Sequence, residues 1–295
     1  MQQTIIHIGY PKTGTSWFTD FFYPEIKNAQ VSYNDNIFYN FEKGSEFFEV
    51  RTKTDEKYKH IIIAHKLTGL VDFVWNNGIY RDFFIKHLKI KYPDACIVIF
   101  LRNQVEFLSS AYSSYLTHGG TYTFRNLFHR NRLGDGTMFG FEYLNYYEMI
   151  RLYKSHFTNV KVYIYEDFMD DNIKFLHNYK NDFGFDVEVE KLKLVKYNEK
   201  LRSGFASFIR FTNILKKRGV KPKKNYINIP WLFYWMTKDR LIRYNYFRFW
   251  GKKLSKEKVL GPELIKYIKE YYRESNRLLI SEYGHKSIEK YKYPL

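Results

Sequence analysis

Cysteine, proline, acidic residues and long apolar runs are all scarce in this sequence of 295 residues. The one cysteine, Cys96, excludes an intramolecular disulfide and disfavours a cysteine-based metal site. No apolar run approaches the ~20 residues that a membrane-spanning helix needs. The first apolar run begins at residue 4, which leaves no room for a signal peptide ahead of it. We therefore expect a cytoplasmic protein without disulfides.

The order of apolar runs and amphipathic segments predicts an α/β fold. Strands are predicted at 4–9, 60–64, 95–101 and 160–165, with helices from residue 16 and over 80–91, 105–116 and 141–157. A polar stretch at 30–59 is expected to shape an acceptor site. No repeat or linker-like composition divides the chain. We expect one domain over 1–295, with a central parallel sheet flanked by helices and a mainly helical C-terminal part.

The most informative segment reads Ile-Ile-His-Ile-Gly-Tyr-Pro-Lys-Thr-Gly-Thr-Ser-Trp at residues 5–17. A β-branched run, a glycine-containing turn and a helix start form the layout of a phosphate-binding loop. Gly9 and Gly14 have the P-loop spacing, but Thr15 stands where a P-loop ATPase has lysine, and Lys12 lies within the loop. This pattern favours a nucleotide that has no γ-phosphate. A plain strand-to-helix turn is the simpler alternative.

A second apolar run ends in Leu-Arg-Asn at residues 101–103. As a buried parallel strand it delivers Arg102 to the carboxyl edge of the sheet, where open α/β folds bind ligands. Ser110 follows about two helical turns later and can lie on the same side. Arg102 and Ser110 are therefore candidates for a second phosphate, although an arginine that caps a loop and a serine on a helix surface are common.

Together these segments resemble the sulfotransferases that use 3′-phosphoadenosine-5′-phosphosulfate (PAPS). Residues 11–17 are similar to that family's 5′-phosphosulfate loop, and Arg102, Ser110 and Tyr112 resemble its 3′-phosphate motif. Gln104 and Phe107 depart from the common form of the second motif, at positions without a phosphate-binding role. The resemblance, closer to bacterial-type enzymes, implies a P-loop-like fold, PAPS as sulfuryl donor, PAP (3′-phosphoadenosine-5′-phosphate) as product and no metal. Its residue assignments for the nucleotide are Lys12, Thr13, Gly14, Thr15, Ser16, Trp17, Arg102 and Ser110.

Weaker similarities continue along the chain at 162–168, at Asn198, Arg210 and Asn213, and over 262–284 with Asn276 and Gly284. Arg202, in Arg-Ser-Gly at 202–204, is a further candidate for a phosphate contact. The acceptor implied by bacterial-type relatives is a saccharide or glycan hydroxyl, and a small alcohol or phenol is the alternative.

Two roles in sulfuryl transfer can be assigned to side chains. Lys12 is expected to stabilise charge on the leaving phosphate. His65 is expected to be the general base, because it falls where the resemblance places a base and a neutral imidazole accepts protons near pH 7. His118 is the second candidate for the base, with contact to the acceptor as its other possible role. A strand-end histidine bonded to a neighbouring loop is the simpler account of His65.

A basic aromatic region, predicted as helical over about 214–258, precedes a C-terminal helix at about 262–283. Residues 216–258 contain fourteen Lys and Arg but only Asp239 and Glu257 as acidic residues, together with three tryptophans. Such a region fits a solvated basic face that attracts anionic PAPS, or peripheral contact with a polyanion or with the inner membrane surface. Nucleic acid is the least favoured partner.

Two other functions compete with sulfuryl transfer. In a P-loop kinase or NTPase, Glu166 and Asp167 after an apolar strand would be Walker B carboxylates that bind Mg²⁺. Thr15 at the lysine position argues against that class. A noncatalytic basic binding protein would not need Lys12, Arg102 and Ser110 in register.

Overall fold

A computed structural model describes residues 3–33, 55, 57–64, 81–127, 140–194, 200–215, 224, 229 and 243–295. Within these ranges five parallel strands form one sheet in the order β2-β3-β1-β4-β5. The strands are β1 (Thr4–His7), β2 (Ala29–Tyr33), β3 (Lys59–Ile63), β4 (Cys96–Leu101) and β5 (Val160–Ile164). The predicted α/β fold with a central parallel sheet is confirmed.

Helices follow the strands and continue to the C-terminus. They are α1 (Thr15–Trp17), α2 (Arg81–Lys91), α3 (Gln104–Thr117), α4 (Tyr146–Lys154), α5 (Tyr165–Asp170), α6 (Asn172–Phe183), α7 (Ser203–Ile214), α8 (Lys256–Leu260), α9 (Pro262–Tyr283) and α10 (Ser287–Lys290). A π-helical segment at Phe18–Phe22 and a 3-10 turn at Tyr23–Glu25 extend α1. Further 3-10 turns are Phe141–Leu144, Val189–Lys191 and Arg248–Trp250.

Alternating residues of the strands are buried on opposite faces of the sheet. Ile6 and Ile97 pack in one core with α2, α3, α4, α7 and α9. Ile5 and Val98 pack in the other with Phe18, Phe22 and α6. Because both faces are covered, the central strands read as continuous apolar runs, and this is why they were recognisable in the sequence.

Two predicted segments differ from the structure. Residues 29–33 form the strand β2, which overlaps the start of the polar stretch at 30–59, where no strand was predicted. Among the described residues β2 pairs with β3 alone and is an edge strand. Its short sequence, Ala-Gln-Val-Ser-Tyr, therefore lacks the apolar run of a central strand. The helix predicted over 141–157 is broken at Asn145, whose side chain accepts a hydrogen bond from the backbone amide of Glu148 and starts α4 afresh.

Candidate functional site

The two predicted phosphate-binding segments lie side by side at the carboxyl edge of the sheet. β1 pairs directly with β4, in parallel, with Ile6 opposite Ile97. The loop of residues 8–14 follows β1, and Arg102 follows β4. β3 is the other neighbour of β1. The carboxyl ends of β1 and β4 therefore bring Lys12 and Arg102 to one place, as a ligand site of an open α/β sheet requires.

The loop after β1 is held in its shape by two threonine hydroxyls. Thr13 Oγ1 donates to the carbonyl oxygen of Tyr10, and Thr15 Oγ1 donates to the same oxygen at 3.3 Å. Both threonine side chains are buried. Their hydroxyls thus stabilise the turn. Their backbone amides, at the start of α1, are suited to bind an anion.

The backbone of this loop twice enters the left-handed region. Gly14 has φ 84° and Lys12 has φ 64°. A Cβ at Gly14 would also lie 3.1 Å from Tyr165 Cε2, and a Cβ at Gly9 would lie 2.6 Å from His7 Nε2. Both glycines are therefore required by conformation or by close approach. A non-glycine residue with positive φ such as Lys12 is uncommon and is typical of a strained functional loop.

The ammonium group of Lys12 reaches helix α3. Lys12 Nζ donates a hydrogen bond to Ser114 Oγ at 2.6 Å. Ser110 lies one turn before Ser114 on the partly exposed face of α3, so both hydroxyls belong to the face that meets the loop. Ser110 was predicted here; Ser114 was not, although its i+4 spacing from Ser110 was a usable signal.

Arg102 joins the two segments directly. Its Nη1 donates to the carbonyl oxygen of Lys12 at 2.7 Å, and its guanidinium lies 4.8 Å from the ring centroid of Tyr165. Its Nε is buried and has no hydrogen-bond partner in the described part of the chain. An unsatisfied donor on a cation beside a phosphate-type loop is suited to an anionic ligand.

The residues around Arg102 are fixed by a partly buried carboxylate and by the C-terminal segment. Glu166 Oε1 accepts from the backbone amide of Asn103 at 2.9 Å, and Glu166 Oε2 accepts from Tyr293 Oη at 2.8 Å. The Asn103 side chain donates to the carbonyl oxygens of Tyr291 and Lys292. Burial raises the pKa of the Glu166 carboxyl above its ordinary value. Both oxygens of Glu166 are thus engaged within the protein, which favours a positioning role over Mg²⁺ binding.

Three other predicted nucleotide residues have different surroundings. Ser16 is exposed at the start of α1. Trp17 is buried, packs 5.0 Å from the ring of Phe168 and donates from Nε1 to the carbonyl oxygen of Lys193. Arg202 donates to the carbonyl oxygens of Asn245 and Gly251. The phosphate contact of Arg202 stays a prediction, and the observed contacts give it a structural role between α7 and residues 245–251.

The two histidines proposed as base differ in what can be said of them. His65 lies outside the described residues. His118 caps the end of α3, where its Nδ1 lies 2.8 Å from the carbonyl oxygen of Ser114. Since a carbonyl only accepts, Nδ1 carries the proton, and in the neutral ring Nε2 is left as a proton acceptor. His118 is exposed and one helical turn beyond the serine that Lys12 contacts.

Other residues that carried the resemblance stabilise the frame. Asn213 Nδ2 donates to the carbonyl oxygens of Leu116 and Gly120 and so joins α7 to the end of α3. Asn276 bonds to Gln104 and to the carbonyl oxygen of Pro294. Gln104, which departs from the common form of the second motif, therefore has a buried partner of its own.

Solved structures of sulfotransferases share this architecture. A sulfotransferase from Alicyclobacillus acidocaldarius matches with a TM-score of 0.50 at 14% identity, over 72% of this chain and 93% of that one. Mouse sulfotransferase SULT7A1, solved in complex with PAP, matches with a TM-score of 0.52 at 15% identity, over 99% of this chain and 88% of that one. The chain has the sulfotransferase fold. At the level of sequence, no family model and no curated protein matches it.

The described ranges offer neither a cluster of metal ligands nor a membrane-spanning helix. They contain no group of three or more His, Cys, Asp or Glu residues arranged to hold a metal ion. None of the helices in those ranges is long and apolar enough to cross a bilayer. Cys96 is buried in β4, and burial raises the pKa of its thiol to about 11.

Proposed function

We propose that the protein transfers a sulfuryl group from PAPS to an acceptor hydroxyl. The observation that carries the proposal is the contact of Arg102 Nη1 with the carbonyl oxygen of Lys12. It places a cation that can bind one phosphate directly beside a loop that can bind a second phosphate. PAPS carries phosphates on both its 3′ and 5′ oxygens, so it needs two such sites. The fold shared with sulfotransferases supports the same reading.

The two halves of the nucleotide are assigned to the two segments. The amides of Gly14, Thr15 and Ser16, with the Lys12 ammonium, bind the 5′ side. Arg102 and Ser110 bind the 3′-phosphate, and the unsatisfied Nε of Arg102 provides a donor. Thr13 and Trp17, which are both buried, stabilise the loop. Arg202 remains a weaker candidate for a phosphate contact.

The proposed chemistry needs alignment, charge stabilisation and one base. When bound, PAPS supplies the sulfuryl group and an anionic leaving group. Lys12 provides positive charge where negative charge accumulates in the transition state. His65, with His118 as the alternative, removes the proton of the acceptor hydroxyl. We propose a metal-independent reaction, because Lys12 and Arg102 already supply cations to both phosphates.

The acceptor we propose is a hydroxyl on a saccharide or glycan. This assignment follows the sequence resemblance to bacterial-type sulfotransferases. The scarcity of cysteine fits our further proposal that the reaction takes place in the cytoplasm.

Nucleotide binding to Arg102→Ala tests the proposal. We expect the wild-type protein to bind PAP tightly and AMP weakly by calorimetry, because AMP lacks the 3′-phosphate. Arg102→Ala should weaken PAP binding by about 10- to 100-fold, the value of a charge-assisted hydrogen bond to phosphate, and leave AMP binding nearly unchanged. Arg151→Ala is the matched control, since Arg151 is exposed and paired with Glu148.

The same titrations separate the competing functions. Equal losses for PAP and AMP in Arg102→Ala would remove the 3′-phosphate assignment. Stabilisation by Mg-ATP but not by PAP would favour a kinase or NTPase. Transfer of ³⁵S from labelled PAPS to a panel of glycans and small alcohols then identifies the acceptor class.

A further inference from the structure

Exposed aromatic side chains are concentrated on one surface that the proposed chemistry does not use. Phe211 of α7 is 64% exposed, Phe249 is 75% exposed and Phe247 is 51% exposed. Phe208 and Tyr244 are also exposed. Isolated exposed apolar residues are ordinary, but a contiguous patch of large rings marks an interaction site.

Ring contacts make this patch continuous. Tyr244 contacts Phe247, Phe247 contacts Phe249 at 5.7 Å, and Phe249 contacts Trp250 at 4.6 Å between ring centroids. Trp250 in turn contacts Phe208 at 5.2 Å, and Phe211 follows one turn later on the same helix. The chain of rings thus runs from residues 244–250 onto the outer face of α7.

The patch is held rigidly to the body of the protein. Arg202, at the start of α7, donates to the carbonyl oxygens of Asn245 and Gly251, and Asn245 Oδ1 accepts from the Arg202 amide at 2.7 Å. The inner side of α7 buries Phe205 and Ile209 in the core. The outward rings are therefore presented by a fixed frame.

Basic residues lie among these rings. Arg243, Arg248 and Lys252 are exposed in the same segment as Tyr244, Phe247 and Phe249. Within the described residues these three cations form no ion pair with a carboxylate. We call the rings and these cations the aromatic–basic surface; its members are Phe208, Phe211, Arg243, Tyr244, Phe247, Arg248, Phe249, Trp250 and Lys252.

We propose that the aromatic–basic surface docks the protein peripherally on an anionic phospholipid bilayer. Exposed Phe, Tyr and Trp side chains enter the boundary between headgroups and acyl chains, and Lys and Arg beside them bind anionic headgroups. The net charge of +17 adds long-range attraction to such a surface. Peripheral docking needs no spanning helix.

Charge and ring packing favour a bilayer over two other occupants. A symmetric dimer would set each surface against its own copy and bring Arg243, Arg248 and Lys252 against like charges. Proteins that bind single-stranded nucleic acid stack successive bases on aromatic faces, whereas Phe247, Phe249 and Trp250 pack against one another. A bilayer accepts the rings as a contiguous apolar patch.

Vesicle co-sedimentation of the full chain tests the proposal. We expect binding to phosphatidylcholine vesicles that contain phosphatidylglycerol and little binding to pure phosphatidylcholine. The double variant Phe247→Ser/Phe249→Ser, and separately Arg248→Glu, should each weaken binding by about tenfold. High salt should reduce the effect of Arg248→Glu more than that of the double variant. Only Arg248→Glu removes an attraction between charges, and salt already weakens that attraction in the wild type.

Two matched control variants change residues that are not part of this surface. Ile90→Ser removes an apolar side chain that is 80% exposed on α2. Lys174→Glu reverses an exposed charge on α6, which packs on the opposite face of the sheet from α7. Both should bind vesicles like the wild type. Unchanged melting temperatures and circular dichroism show that all the variants are folded.

Four results would overturn the proposal. The first two are equal vesicle binding by surface and control variants, and equal binding of the wild type to neutral and anionic vesicles. The third is binding of heparin or single-stranded DNA that depends on the surface while vesicle binding does not. The fourth is a concentration-dependent dimer in sedimentation velocity that the double variant abolishes.

Discussion

Lys12 Nζ donates a hydrogen bond to Ser114 Oγ across 2.6 Å, so the loop after β1 and helix α3 are joined at the centre of the candidate site. An ammonium group has three N–H donors, and this bond uses one of them. Ser114 therefore restrains a flexible lysine at the place where we propose that it stabilises the leaving phosphate.

Loss of the Ser114 hydroxyl should weaken the nucleotide site. We expect Ser114→Ala to reduce PAP affinity by about three- to tenfold, because Lys12 then loses a contact that orders its side chain before the nucleotide binds. Ser114→Thr should keep the affinity. Ser113→Ala is the matched control, since Ser113 on the same helix bonds to the carbonyl oxygen of Ser109. Calorimetry gives the affinities; tighter binding in Ser114→Ala would mean that Ser114 competes with the ligand for Lys12.

Gly14→Ala should lower the free energy of unfolding by more than the conformational cost of its positive φ alone. Its positive φ costs about 1–2 kcal/mol with a Cβ present, and the new methyl group would meet Tyr165 at 3.1 Å. Gly284→Ala has a similar left-handed backbone, with φ 70° and ψ 18°, but nothing lies within 4 Å of its Cβ, so it carries the backbone cost only. Urea unfolding should show a larger loss for Gly14→Ala, and only that variant should lose PAP affinity. Equal losses in stability and unchanged PAP binding would contradict this.

Substitutions of His65 and His118 should have different effects on kcat and KM. We expect His65→Ala to lower kcat by about 10²- to 10⁴-fold, the usual value of a general base, with PAP affinity retained. His118→Ala should raise KM for the acceptor and change kcat little, since this exposed residue lies beside Ser114. Steady-state kinetics on the acceptor found by ³⁵S transfer measure both. The opposite pattern would assign the base to His118, whose Nε2 is free to accept a proton.

Glu166 should give stability a specific pH dependence. Burial raises its pKa in the folded protein above the unfolded value, so the folded state holds the proton more tightly and this carboxyl contributes less stability as pH rises through the raised pKa. Glu166→Gln removes that ionisation, so its stability relative to wild type should increase from pH 4 to pH 7. Glu166→Ala should instead lose about 3 kcal/mol, because the Asn103 amide and Tyr293 hydroxyl lose their acceptor. Urea unfolding of the three proteins across this pH range measures both effects, and a difference between Glu166→Gln and wild type that does not change with pH would contradict the assignment.

Central strands and the loop glycines were predictable from the sequence because their causes are local. β1 and β4 are buried on both faces and are therefore continuous apolar runs, and Gly9 and Gly14 are needed by the turn itself. β2 was missed because an edge strand needs only a short mixed sequence. The break at Asn145 depends on one side chain that caps a helix within an otherwise helical pattern.

Long-range partners within the site were not predictable. The Lys12–Ser114 bond spans 102 positions, and Tyr293 bonds to Glu166 across 127. No local periodicity encodes such pairs, so Glu166 looked like a candidate metal ligand until its two partners were visible. Arg102 was placed correctly beside the loop because adjacent parallel strands share a carboxyl edge.

The bond between Asn103 and the carbonyl oxygen of Lys292 has a consequence for biosynthesis. The two residues are 189 positions apart, and the ribosome delivers the N-terminal one first. While residues 291–293 are still within the exit tunnel, the segment that carries Arg102 lacks the bonds from the Asn103 side chain to Tyr291 and Lys292. The nascent chain can therefore form much of its sheet before the segment that carries Arg102 acquires these contacts.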